Sequence, residues 1–247
     1  RSKQILKVFG KKIFDAEIGI LILGGAGPAA SADFTIKFVK HLKKKQISEN
    51  FIHLSLNQCP GKSKHISGNA PPLQQYHIDT VDFANRLKVR QIVTPCNTNH
   101  IVLDGWSKTF SGKILDYRNA LLSKLKKDNI QEILILGTRS TIFDHKLYHK
   151  IIEEAGIKVE TVGEKERCDI DKAISKIKAG NFLDSKKSIN KVIENYKSKH
   201  GKNITTVLAC TELPLVYSKQ ELMDNNLVCV SMSAIDYFTK KTVDENL

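Results

Sequence analysis

The strongest constraint on this chain is that one pattern runs through it twice. Residues 18–23 read IGILIL and residues 132–136 read EILIL, each followed at once by a turn sequence, GGAGP at 24–28 and GTRST at 137–141. Short, continuous apolar runs of this kind suit strands buried on both faces of a parallel sheet. Amphipathic helices follow over 29–45 and to 155. The first half continues with strands at 51–56, 92–94 and 113–115 and helices at 73–87 and 117–127. In the second half come strands at 158–162, in a run ending at Cys210, and at 227–231, with helices at 169–178, 185–199 and 234–241. Strand and helix in alternation, twice over, predict two pseudo-symmetric, Rossmann-like α/β lobes with parallel sheets. The first lobe is expected over 1–116, completed by the segment 227–247, and the second over 117–226.

Two cysteines occupy matching places in this pattern. QIVTPCNTNH at 91–100 reads as a buried strand stopping at Pro95, followed by Cys96 and by Asn97 and Thr98, residues suited to cap a helix. TTVLACTELP at 205–214 is a second strand run ending in Cys210, with Thr211 as cap and Pro214 suited to a first helical turn. A thiol where a strand gives way to a helix N-terminus has its ionisation favoured by the peptide dipoles. One such cysteine is most often a small buried hydrophobe, the reading given to Cys59, Cys168 and Cys229. Two in matching contexts predict a paired site, and parallel sheets place ligands at the carboxyl ends of their strands. If the lobes face each other, two thiols flank one molecule in the cleft between them. Inverting a carbon that bears hydrogen needs a base on one face and an acid on the other, which a thiolate and a thiol supply.

Composition narrows the partners. The formal charge of +13, from 39 Lys and Arg against 26 Asp and Glu, is spread as lysine on helix faces rather than interleaved with aromatics. An anionic small ligand is therefore expected ahead of nucleic acid. Five cysteines, an odd number with no CxxC, argue against a disulfide framework or zinc site and for a reducing, cytoplasmic setting. No lysine stands in a pyridoxal-phosphate context, so no cofactor and no metal are expected. Lys11 and Lys12 ahead of IGILIL mimic a signal peptide, but Asp15 and Glu17 intervene. A buried first strand is the expectation, and no run has the length of a membrane span. The turn at 24–28 is not a dinucleotide fingerprint. Its glycines suit either a tight turn or a close approach of backbone N–H groups to a carboxylate at the helix start. The long polar loop 57–72 brings Lys62, Lys64 and His65 as cations for an acidic ligand.

GGAGP, PCNTNH and ACTELP, in this order and spacing, resemble the GGMGP, PCNTAH and GCTE motifs of the aspartate/glutamate racemase family, over nearly the whole chain from about Glu17. The resemblance implies cofactor-independent racemisation by two cysteines in a cleft between two lobes, usually in a homodimer. Cys96 and Cys210 match the catalytic pair, and Asn97, Thr98 and Thr211 match the residues that hold the α-carboxylate. Glu212 matches the acidic residue of the aspartate-type motif, where glutamate racemases have His. Lys178, in KAGN, falls where aspartate racemases hold the substrate's side-chain carboxylate. The chain departs from the pattern at Ala26, where Met is usual, at Asn99 for Ala and at Ala209 for Gly. It departs again at Lys62, where the family's Arg would grip the distal carboxylate with a fork that lysine lacks. The expectation is thus an L-/D-aspartate racemase, substrate in contact with Ala26 and Lys62 as well. The alternatives are a maleate-isomerase-like or hydantoin-racemase-like relative, or a non-catalytic carboxylate-binding protein on the same scaffold.

Overall fold

The computed structural model describes residues 18–25, 27–55, 71–201 and 203–245. Strands β1 (Ile20–Gly24), β2 (Phe51–Ser55), β3 (Gln91–Val93) and β4 (Lys113–Ile114) form one parallel sheet in the order β2-β1-β3-β4. Strands β5 (Glu132–Leu136), β6 (Lys158–Glu160), β7 (Thr205–Leu208) and β8 (Leu227–Cys229) form a second in the order β6-β5-β7-β8. All pairings are parallel. The second sheet thus repeats the first strand for strand, as the doubled sequence pattern predicts. Chain crossings run from the first strand to one side and from the third to the other. The carboxyl ends of β1 and β3, and of β5 and β7, therefore border the crevices where ligands bind in such sheets.

The repeated ILIL explains how the sheets pack. Side chains alternate across a strand, so Ile20 and Ile22 face one side of the first sheet, and Leu21 and Leu23 the other. In β5, Ile133 and Ile135 separate likewise from Leu134 and Leu136. All four isoleucines belong to one central cluster, which also takes Val93 and Val207. Helices α1 (Pro28–Lys44) and α2 (Pro71–Arg86) belong to the first half. There, too, α3 (Leu103–Ser107) follows β3 and α4 (Tyr117–Lys127) follows β4. In the second half, α5 (His149–Glu153), α6 (Glu164–Lys178), α7 (Phe182–His200), α8 (Lys219–Asp224) and α9 (Val230–Glu245) follow in turn. The central cluster is closed by Phe34 and Phe38 of α1, Leu121 and Leu125 of α4, and Ala234, Ile235 and Phe238 of α9. Leu21 and Leu23 pack instead with α2, Trp106 and Phe110, and Leu134 and Leu136 with α6 and α7. Strand β8 pairs with β7 in the second sheet, while α9 packs against α1 and α4. The two sheets consequently share an apolar layer.

Element types agree with the sequence, and the ends move where local chemistry dictates. Helix α6 starts at Glu164 rather than 169, because Glu164 and Glu166 in its first turn suit the helix dipole. The helix expected to run from the GTRST turn to 155 is broken: a π-type turn covers Ser140–Asp144, and α5 begins only at His149. Helix α8 begins with a capping box of Ser218 and Glu221, and α7 closes on Gly201 at φ 60°.

Phe38 is fully buried, its ring 5.1 Å from that of Phe238 and 5.8 Å from that of Phe34. Phe38→Ala should lower unfolding free energy in urea by about 3–5 kcal/mol. Ile36→Ala on the outer face of the same helix, 56% exposed, should change it by no more than about 0.5 kcal/mol.

Candidate active site

The turn after β3 is fixed by its own backbone. Cys96 N–H donates to the Thr94 carbonyl at 2.8 Å, and Cys96 is extended at φ −157°, immediately before a 3-10 helix over Asn97–Val102. The Cys96 carbonyl accepts from Asn99 N–H at 3.2 Å, and Nδ1 of His100 lies 2.9 Å from the same oxygen. Nε2 of His100 lies 3.2 Å from the Leu115 carbonyl, and the ring packs 4.3 Å from that of Tyr117. Burial is the main influence on His100 and holds its pKa below the ordinary value, against the opposing pull of the Asp116 charge. Asn99 Nδ2 donates to Thr94 Oγ1 at 2.6 Å, which ties the turn back to the strand end. Cys96 itself is half-buried.

Asn97 and Thr98 do not cap this helix, as the sequence suggested. The 3-10 turn satisfies itself through Asn99 N–H, and both side chains are engaged by the second half of the chain. Tyr148, just before α5, donates its hydroxyl to Asn97 Oδ1. Thr98 Oγ1 lies 2.9 Å from Thr141 Oγ1, which is 2.9 Å from Thr138 Oγ1. Thr138 Oγ1 also accepts from Thr141 N–H at 3.3 Å. Asn97 is 3% exposed, and its Nδ2 has no partner among the described residues. An unmet buried donor of this sort costs about 1–3 kcal/mol and marks a place for an acceptor. The Tyr117 hydroxyl is buried without a partner among the described residues too. Burial, with the Cys96 charge second, drives the Tyr117 phenol well above its usual pKa, and burial does the same for Tyr148.

The second cysteine follows β7, the counterpart of β3. Cys210 is 5% exposed and its Sγ donates to Glu212 Oε2 at 3.0 Å. Thr211 Oγ1 donates to the same oxygen at 3.2 Å, so Thr211, like Asn97 and Thr98, serves a side chain rather than a cap. Pro214 lies in the first turn of the 3-10 helix Leu213–Val216, as expected. The low thiol pKa expected from a helix N-terminus is not found at Cys210. Burial first, then the charge of Glu212 and its hydrogen bond, raise the pKa well above the ordinary value, with Lys178 opposing weakly. A four-residue 3-10 turn has too little dipole to overcome that burial.

Lys178 reaches Glu212 from the end of α6, Nζ to Oε1 3.7 Å, with Lys178 about half exposed and Glu212 8% exposed. Gly27, before α1, lies so close to Glu212 Oε1 that a Cβ would overlap the carboxylate. The glycine turn of the first half therefore does approach a carboxylate, and that carboxylate belongs to the chain itself. Gly25 contributes differently, through a backbone φ of 104°. Ala26 and Lys62, with Lys64 and His65, lie outside the described residues. Thr138, Thr141 and Tyr148 join the site without having been singled out as site residues. Thr138 and Thr141 had one signal, their place in the turn that stands in for the glycines, and Tyr148 had none. Among the described residues no cluster of three His, Cys, Asp or Glu could hold a metal, and no helix is long and apolar enough to cross a membrane.

Solved structures of similar shape share this arrangement of sheets and helices. The chain superposes on aspartate racemase from Picrophilus torridus with a TM-score of 0.76 at 18% identity, over 90% of this chain and 94% of that one. An aspartate racemase homologue from Pyrococcus horikoshii OT3 gives 0.69 at 23% identity, over 92% and 97%. Glutamate racemase from Francisella tularensis, solved with D-glutamate, gives 0.65 at 18% identity, over 93% and 82%. At these identities the likeness establishes the α/β fold. A family model described as Asp/Glu/Hydantoin racemase matches residues 23–232, which span the glycine turn, both cysteine motifs and seven of the eight strands in full. The chain belongs to the Asp/Glu/hydantoin racemase family.

Proposed function

We propose that this protein is a cofactor-independent amino-acid racemase that interconverts L- and D-aspartate with Cys96 and Cys210 as the two proton-transfer groups. The observation that carries the reading is topological. Each thiol follows the third strand of its sheet, β3 or β7, and each cysteine motif touches the turn after the first strand of the other sheet. A substrate carbon between them is reached from opposite faces. In one direction the Cys96 thiolate takes the α-proton, and the electron pair moves into the α-carboxylate. Asn97 Nδ2 and the Thr98 hydroxyl hold that carboxylate as its charge grows, joined by the Thr211 hydroxyl once it turns from Glu212. Cys210 then gives its S–H proton to the opposite face and becomes the thiolate, and exchange with water resets the pair. The raised pKa of Cys210 supports this assignment, because it keeps the resting thiol protonated as the acid. In the reverse direction Glu212, already the acceptor of that S–H, takes the proton that Cys210 must lose, and Cys96 takes one from water. The Cys210 thiolate then removes the α-proton, and the Cys96 thiol returns one to the other face.

Substrate choice follows from charge. Lys178 beside Glu212, and Lys62 on its loop, supply cations for a second carboxylate, and the overall charge of +13 favours an anion. Lys178→Ala should raise KM for aspartate at least several-fold more than for a neutral amino acid. Equal effects on both would remove Lys178 from the substrate site. A homodimer in the cytoplasm belongs to the same reading. A carboxylate-binding protein without catalysis would equally keep Cys210 buried, and the cysteine variants separate the two.

Cys96→Ala and Cys210→Ala should each abolish racemisation, while each retains deuterium exchange at Cα for one enantiomer only, the opposite one in the two variants. Proton NMR in deuterated water on folded protein reads both outcomes. Racemisation that persists in either variant sinks the two-thiol mechanism.

Glu212→Gln removes the charge that raises Cys210 and leaves the burial. The Cys210 thiol pKa should therefore fall yet stay above about 8.5, the ordinary thiol value. The check is the pH dependence of iodoacetamide labelling of the Cys210 peptide, followed by mass spectrometry. A profile identical to that of the parent would disconnect Glu212 from the thiol.

A further inference from the structure

Asn97 can present either end of its amide to a ligand, and the ends have opposite chemistry. With Nδ2 forward the residue donates to a carboxylate; with Oδ1 forward it repels one. The rotation of that amide is decided by what stands behind it, and what stands behind it is Tyr148. Tyr148 is fully buried, and its hydroxyl donates to Asn97 Oδ1. Turning the amide over would set its NH2 group against the phenol. The phenolic proton would then lose its acceptor at a fully buried position. The same turn would bury Oδ1 facing the ligand.

We propose that Tyr148 is a positioning residue that locks the Asn97 amide with Nδ2 directed into the site, so that Asn97 acts as a donor to the substrate's α-carboxylate. Three features support the assignment besides the hydrogen bond. Asn97 is 3% exposed while its Nδ2 lacks any partner among the described residues, so the donor is held ready for an acceptor. Burial holds the Tyr148 phenol well above its ordinary pKa, so the proton that makes the lock stays in place across the working pH range. Tyr148 also comes from the second half of the chain and Asn97 from the first. The donor is thus presented only while the two sheets keep this arrangement. The aromatic ring has a separate duty, as part of the central apolar cluster, and a phenylalanine preserves it.

This proposal rests on the racemase reading for the identity of the ligand, and its test keeps the two apart. Binding of L-aspartate by calorimetry, and racemisation, are measured for the parent, Tyr148→Phe, Asn97→Ala and the double variant, with thermal unfolding as the check on folding. Losing the lock should raise Kd roughly three- to tenfold, the worth of one hydrogen bond, with kcat/KM falling at least as far. In the Asn97→Ala background Tyr148→Phe should change neither, because the lock then has nothing to hold. Parent-like binding and turnover in Tyr148→Phe overturn the proposal, and so does a loss of equal size in both backgrounds, which would show a packing role. A parent that binds L-aspartate without racemising it overturns the racemase reading, while the binding cycle still decides Tyr148. A parent that binds no L-aspartate overturns both. If Tyr148→Phe does not fold, the side-chain amide signals of Asn97 in nitrogen-15 NMR of the parent decide. A single fixed pair that shifts on adding L-aspartate supports the lock, and signals indifferent to the ligand overturn it.

Discussion

The site depends on polar contacts that cross from one sheet's turns to the other's. Thr98 meets Thr141, Asn97 meets Tyr148, and Gly27 lies against Glu212. These contacts are possible because the isoleucine faces of β1 and β5 are buried in one apolar layer, which brings the carboxyl ends of both sheets to the same region. In a buried setting a polar group without a partner is costly, so the crossings also limit how the sheets can shift. The crossing is reciprocal: the turn after β1 attends the second cysteine motif, and the turn after β5 attends the first. Duplicated topology accounts for that reciprocity without any similarity between the two turn sequences.

The two cysteines share a topological position and differ in surroundings. Behind Cys96 stand a histidine between two carbonyls and two buried tyrosines. Beside Cys210 stands a buried carboxylate that accepts a hydrogen bond from the thiol. On the proposed reading, the surroundings that raise the Cys210 pKa suit that thiol to the acid role. A substrate carbon is chiral, so the two directions of an inversion need not be served by identical groups.

Most of the fold was legible because a strand buried on both faces leaves a plain mark. ILIL, twice, identified β1 and β5, and the residues after β3 and β7 placed both cysteines at strand ends. Helix α4 matches its expected span of 117–127, where Asp116 caps the helix by accepting from Arg118 N–H. The helix expected after β5 is broken because side chains there have other duties: Thr141 bonds to Thr98 and Thr138, and the π-type turn accommodates them. Caps were misassigned for a related reason. Asn, Thr and Ser bond to whichever donor or acceptor lies nearest, and at Asn97, Thr98 and Thr211 the nearest partners are side chains that only tertiary structure supplies. The ionisation of Cys210 was misread because local sequence reports a helix start and is silent on burial. Tyr148 lies 51 residues from Asn97, in a stretch with no motif.

The departures from the family's pattern become intelligible in this light. Asn99, where Ala is usual, donates to Thr94 Oγ1 and fastens the Cys96 turn to β3. Ala209, where Gly is usual, is fully buried in the central cluster, and its N–H still reaches the Leu136 carbonyl at 2.7 Å. The carbonyl of Ala209 passes so close to Gly137 that a Cβ there would stand 2.9 Å from it. The approach thus requires a small residue at Gly137, while the methyl group of Ala209 packs on the apolar side. Both changes act on the strand-to-turn backbone that carries a thiol, and both leave that backbone hydrogen-bonded. They bear on the support of the cysteines, whose places at the ends of β3 and β7 are the part of the arrangement on which the proposed two-faced proton transfer depends.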